Sequence, residues 1–189
     1  LHADEDSAGD QDDFTHGFQT RRTRVGMKGT VWSKNLSFDM LGEFSRSSGA
    51  FTLLDAWGQY KFENNMAIKW GQGKVGLLRE ELVSDTMQLT VERSTVNSVF
   101  TQGRSQMVQL AYTGETFRGW ASISDGLNTL NTDFNSASEA DYAFTARGEF
   151  RWGDGDWKRF EDNVSWRGSK YGGMLGAAIH FQDGGETGG

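Results

Sequence analysis

The stretch Leu54-Asp55-Ala56-Trp57-Gly58-Gln59-Tyr60-Lys61-Phe62-Glu63-Asn64-Asn65-Met66-Ala67-Ile68-Lys69-Trp70 decides the fold class. Leu54, Ala56, Gly58, Tyr60 and Phe62 alternate with Asp55, Trp57, Gln59 and Lys61. Successive strand side chains point to opposite faces, so this run reads as a strand with one apolar face free of charge. Glu63-Asn64-Asn65 is a tight turn. Met66, Ile68 and Trp70 then alternate with Ala67, Lys69 and Gly71. Two such runs joined by three turn residues predict an antiparallel hairpin.

The same period extends in both directions. From Phe18 to Trp32, Val25, Met27, Gly29 and Val31 oppose Arg22, Arg24, Gly26, Lys28 and Thr30. Leu36, Phe38, Met40, Gly42 and Phe44 oppose Ser37, Asp39, Glu43 and Ser45, with Leu41 out of pattern. Downstream, Lys74 to Gln102 does not alternate, and Leu77 to Val83 reads as a short helical turn or a packed loop. Alternation resumes with Val108, Leu110 and Tyr112, and after Gly114-Glu115 with Phe117, Gly119, Ala121 and Ile123. Two more runs carry Tyr142, Phe144, Ala146, Gly148, Phe150 and Trp152, then Leu175, Ala177, Ile179 and Phe181. About eight strands result, an all-β chain. The connections around Arg46–Thr52, Lys74–Gln102 and Asp125–Asp141 are long, whereas those at Ser33–Asn35, Glu63–Asn65 and Gly114–Glu115 are short. Long loops on one rim and short turns on the other describe an outer-membrane barrel. The connection after Trp152 is the exception: Gly153-Asp154-Gly155-Asp156 opens as a turn and then runs on.

Composition narrows the functional classes. The chain has 189 residues, with 25 glycines, 13% aromatics, no proline and no cysteine. Without cysteine there is no disulfide framework, thiolate metal site or Cys nucleophile. No run approaches the roughly 18 apolar residues of a membrane helix. A net charge of -7 argues against nucleic acid as a partner. His2, His16 and His180 lie too far apart in sequence for a metal motif, and no Gly-x-Ser-x-Gly, Walker or dinucleotide fingerprint occurs. Glu80-Glu81 reads as solvated loop rather than as a catalytic pair. The expectation is a non-enzyme that needs no cofactor. The first residues, 1–15, form an acidic loop with Asp4, Glu5, Asp6, Asp10, Asp12 and Asp13.

Alternation alone does not say whether the apolar faces meet a core or lipid. These faces mix Gly and Ala with aromatics, where soluble β cores use branched aliphatics. Phe62, Tyr112, Phe117, Phe150 and Trp152 lie beside the short turns, as in an interfacial aromatic girdle. The polar faces carry eight basic residues (Arg22, Arg24, Lys28, Lys61, Lys69, Arg118, Arg147 and Arg151) against four acidic ones, Asp39, Glu43, Asp55 and Glu149. Such a wall would raise anion concentration in a narrow pore. Two other architectures stay open. One is a closed eight-stranded membrane barrel acting as an anchor or adhesin. The other is a soluble all-β binding module whose apolar faces pack together.

Several segments, in order, resemble the phosphate-selective porin O/P family. Phe18-Gln19-Thr20-Arg21-Arg22-Thr23-Arg24-Val25-Gly26-Met27-Lys28-Gly29 is similar to its Arg-Arg strand after the first external loop. Leu54-Asp55-Ala56-Trp57-Gly58-Gln59-Tyr60 and Lys69-Trp70-Gly71-Gln72-Gly73-Lys74-Val75-Gly76-Leu77 are similar to its next strands. Leu89-Thr90-Val91-Glu92-Arg93-Ser94 resembles its inward-folded loop, and Ser122-Ile123-Ser124-Asp125-Gly126 and Tyr142-Ala143-Phe144-Thr145-Ala146-Arg147 sit where the family has them. The proline common after the Gly-Gln-x-Lys segment is missing, and Glu80, Glu81 and Asp85 enter the loop segment. The resemblance implies an antiparallel transmembrane β-barrel in the bacterial outer membrane, of which 1–189 is an incomplete single domain of about eight strands in sixteen. It implies an inward constriction loop over 74–102 and a homotrimer at full length, with outer-membrane lipid and small anions or other small solutes as partners. It also implies an anion path through Arg21, Arg22 and Arg93. Arg24, Lys28, Lys69 and Lys74 would add positive potential there. Asp55 would lie among them and Ser84 would offer a hydroxyl.

Overall fold

The computed structural model describes residues 2–4, 15–18, 20, 22–84, 87–88, 90, 92–133, 136–137, 139–161, 163 and 168–184. Strands β1 (His2–Asp4) and β2 (Thr15–Gly17) pair antiparallel, so the two ends of the acidic segment are adjacent; residues 5–14 between them lie outside the described residues. The main sheet comprises β3 (Thr23–Thr30), β4 (Leu36–Phe44), β5 (Phe51–Lys61), β6 (Met66–Lys74), β7 (Arg104–Thr113), β8 (Phe117–Ser124), β9 (Tyr142–Gly153) and β10 (Gly172–Asp183). Its order follows the chain, every neighbouring pair is antiparallel, and β3 and β10 are its two edges. The strand pairing of a closed eight-stranded barrel, first strand to last, is therefore not found. No helix among the described residues is long and apolar enough to cross a membrane.

Strands of 8 to 12 residues are roughly 25–40 Å long, enough to cross an apolar band about 25 Å tall when tilted. The faces are inverted relative to a soluble sheet. Val108, Phe117, Ile123, Leu175 and Ile179 are all exposed, Ile123 by 65%. On the opposite face Ser105, Ser122, Thr145 and Glu149 are buried. A soluble module would bury the first set and expose the second. The inversion is what lipid outside and polar groups inside require.

Leu41 marks an irregularity in the register of β4 and β5. It pairs with Asp55, while Gly42 pairs with Leu53, so Leu54 is an extra residue on β5. That bulge buries Leu54, which the alternation with Ala56 and Gly58 would put on the apolar face. The first and last residues of the Phe18–Trp32 run also differ from the expectation. β3 begins only at Thr23, and Trp32 sits in the following turn at φ 58°.

Glycine and aromatic residues form cross-strand pairs on the apolar face. Gly58 lies directly opposite Trp70, Gly29 opposite Phe38, and Gly173 opposite Trp152. A Cβ at Gly58 would stand 2.7 Å from the Trp70 ring, and one at Gly173 2.3 Å from Trp152. Each ring thus covers its glycine, filling the groove and shielding the bare backbone. Aromatics gather at both rims. Tyr60 and Phe62 meet edge-on at 5.1 Å beside a short turn, and Phe44 and Phe51 at 5.3 Å beside a long loop. The girdle read from sequence has a second ring on the opposite rim.

An arginine at mid-strand on the apolar face tests this orientation. Val108→Arg is expected to lower the unfolding free energy in lipid vesicles by about 2–4 kcal/mol. Gln109→Arg, one residue along and on the other face, is expected to cost far less. Urea titration followed by tryptophan fluorescence reads both, and equal costs would contradict the assignment of faces.

Candidate pore-lining site

The segment between β6 and β7 turns back onto the polar face. Val75 is fully buried. Trp120 Nε1 donates to the Gly76 carbonyl at 3.0 Å, and Arg147 Nη1 donates to the Leu77 carbonyl at 2.8 Å. Only glycine fits at position 76, because a Cβ would lie 1.8 Å from Trp120 Nε1. The segment then forms α1 (Arg79–Leu82) and α2 (Thr95–Phe100). Ser94 caps α2 by accepting from Asn97 N at 3.1 Å.

Glu81, buried on α1, collects three donors. Lys74 Nζ is 3.7 Å from Oε1, Arg93 Nη1 is 3.4 Å from Oε2, and Asn97 Nδ2 donates to Oε2 at 3.1 Å. Lys74 also donates to the Glu81 carbonyl at 2.6 Å. Arg93 donates from Nε to the Glu80 carbonyl at 3.2 Å and from Nη2 to the Val83 carbonyl at 3.3 Å. The Glu80 carboxylate accepts from Ser94 Oγ at 2.5 Å and from Ser94 N at 2.6 Å. These two hydrogen bonds hold its carboxyl below the ordinary glutamate range.

A second segment enters from the short-turn rim. The 3₁₀ turn Trp157–Phe160 is capped by Asp156, which accepts from Lys158 N at 3.1 Å. Trp157 is buried, donates to the Gly114 carbonyl at 2.6 Å, and lies under the Arg118 guanidinium at 4.4 Å. The Phe160 carbonyl accepts from Arg79, and Asn163 N donates to the Met87 carbonyl at 3.3 Å. Segments from opposite rims therefore meet. Glu149, 1% exposed, links their anchors: it accepts from Arg118 Nε at 2.6 Å and from Arg147 Nε at 2.8 Å.

The residues singled out from sequence are placed as follows. Arg22, Glu81, Glu92, Arg93, Asn97 and Ser98 line one cleft of about 380 Å³. Arg24 pairs with Glu43, and Lys28 is in register opposite Asp39. Asp55 receives both Nε and Nη2 of Arg104 at 3.0 Å, a bidentate pair. Lys69 lies 4.7 Å over the Trp57 ring. Ser84 is exposed just after α1. Arg21 and Asp85 lie outside the described residues. Arg22 and Arg93 thus come together at the cleft, while Asp55, Lys69 and Lys28 belong to the wall. Sequence reasoning missed Arg104, which begins β7 before the alternation at Val108 sets in. It also missed Asn97 and the Trp157 anchor, both in segments with no period to read. Among the described residues no cluster of His, Asp and Glu has the makings of a metal site.

Removing one partner of a buried ion pair strands the others. Glu149→Gln is expected to cost about 3–5 kcal/mol in unfolding free energy. Glu43→Gln, whose pair with Arg24 is half-exposed, is expected to cost under about 1 kcal/mol. Equal losses in the same urea titration would contradict the linking role of Glu149.

Three observations now stand together: an inverted sheet, long loops on one rim, and a loop folded onto the polar face with arginine at a cleft. Comparisons with curated proteins and with solved structures found no match. The family model described as phosphate-selective porin O and P matches residues 1–183. The chain belongs to the phosphate-selective porin O and P family.

Proposed function

We propose that the chain lines a water-filled channel in a bacterial outer membrane, through which small hydrophilic solutes diffuse with a preference for anions such as phosphate. The observation that carries this reading is the cleft where Arg22 and Arg93 meet on the polar side of the sheet. Segment 74–102 acts as the constriction loop, and Arg93 is fixed on it by two backbone carbonyls and Glu81. Arg22 and Lys69 contribute positive potential along the approach, and Arg24, Lys28 and Lys74, each set against a carboxylate, contribute less. Many wall cations face carboxylates: Arg104 faces Asp55, and Arg118 and Arg147 face Glu149. Their fields largely cancel at a distance, so the preference comes from the cleft and is moderate. The channel carries no catalytic step. Trimers embedded in outer-membrane lipid are the working assembly.

The test is the reversal potential of the protein in planar bilayers across a KCl gradient. An anion-directed potential that shrinks as ionic strength rises is expected, because screening shortens the reach of the arginines. A cation-directed potential would overturn the anion preference, and absence of conductance would overturn the channel itself.

A further inference from the structure

The hairpin of β9 and β10 is closed at its base. The two strands pair as far as Gly153 and Gly172, and Asp154 N donates to the Tyr171 carbonyl at 2.8 Å. Joining them needs only a short turn at the rim. The residues that follow Gly153 instead fold onto the polar face and reach the segment between β6 and β7.

Trp157 is the foot of this excursion. Its indole N–H is committed to the Gly114 carbonyl, and the Arg118 and Arg151 guanidiniums lie over its ring at 4.4 and 5.5 Å. Those partners belong to the β7–β8 turn, β8 and β9, so one ring is fixed to three parts of the wall. Arg159 Nη1 donates to the Asp154 carbonyl at 3.1 Å, which stiffens the turn, and Phe160 meets Trp157 edge-on with ring centroids 6.4 Å apart.

The head reaches the other segment at two places. The Phe160 carbonyl accepts from Arg79, the first residue of α1, and Asn163 N donates to the Met87 carbonyl. α1 has four residues and no side-chain cap, far too short to hold itself as a helix, so its place depends on what it touches. Arg93 in turn donates to the carbonyls of Glu80 and Val83, so what holds α1 also holds Arg93. A line of contacts thus runs from Trp157 through Phe160 and Arg79 to Arg93.

We propose that Gly153–Phe160 is a strut that holds the constriction loop from the short-turn rim, and that Trp157 and Arg79 are its positioning residues. The proposal rests on the channel reading above and adds what keeps the loop in place.

The experiment records single-channel currents in planar bilayers, so only assembled channels are read. Trp157→Ala removes the foot. Arg79→Met removes the donor at the head and keeps an apolar stem. Each is expected to raise the variance of the open-channel current at least about twofold, because the loop is then held at fewer points. The two together are expected to do no more than either alone, since both break the same strut. Trp157→Phe keeps a ring under the guanidiniums and is expected to return most of the quiet current. In the Arg79→Met protein, Met87→Cys with Asn163→Cys places two thiols across the backbone hydrogen bond, in a chain with no other cysteine. Oxidation is expected to staple the head and quiet the current, and a reductant to release it. Unchanged variance in Arg79→Met would overturn the proposal, whether or not Trp157→Ala assembles. Additive effects of the two substitutions would overturn the shared strut. A conducting unsubstituted protein with equally quiet variants sinks the strut alone, whereas no conductance in the unsubstituted protein sinks the channel reading and the strut with it.

Discussion

Glu149 holds two guanidiniums at once, and the interior of the sheet is arranged around that pair of bonds. Around Glu149 the polar face is covered by the chain's own segments, so charges there cannot rely on bulk water and must find partners at contact distance. Arg147 reaches from Glu149 to the Leu77 carbonyl and fixes the start of the segment that folds back between β6 and β7. Arg118 reaches from the same carboxylate to the face of Trp157 and fixes the segment from the other rim. One buried acid therefore sets where both segments sit. The pairing repeats at Asp55 with Arg104 and at Glu81 with Lys74 and Arg93. Each of these pairings ties a segment or a strand to its neighbour at contact distance.

The outer face obeys the opposite requirement. It contributes nothing polar and must still pack. Few branched aliphatics do this; glycines and aromatics share the work across strands. Gly58 under Trp70, Gly29 under Phe38 and Gly173 under Trp152 are close-packed ring-on-backbone contacts. A chain with 25 glycines and 13% aromatics looks underprovided as a soluble core. It is well matched to a surface that meets lipid and needs only to be smooth, with rings at both rims.

Much of this was legible in the sequence. Alternation from Asp55 to Trp70 placed two strands and their turn because a strand repeats every two residues and nothing else does. The phase was legible too, since charges fall on one face only. Leu54 resisted because it is the bulged residue of β5, and one strand's own pattern does not record the register with its partner that makes a residue extra. The cleft was half legible. Arg22 and Arg93 were marked by resemblance. Asn97 was not, because its bond to Glu81 depends on how α1 sits against α2. The segment after Trp152 broke the rhythm of short turns for a physical reason now visible: Trp157 leaves the rim to pack on Gly114 and Arg118.

The central claim is that alternate residues of one strand face water and lipid. The natural chain has no cysteine, so single cysteines can be placed along β7 at positions 107 to 112 and the protein reconstituted in vesicles. The account predicts that cysteines at 107, 109 and 111 react with a small water-soluble thiol reagent or are shielded by the covering segment. Those at 108, 110 and 112 are predicted to react only with a reagent dissolved in the bilayer. Uniform labelling along the strand, or bilayer labelling at the odd positions, would contradict it.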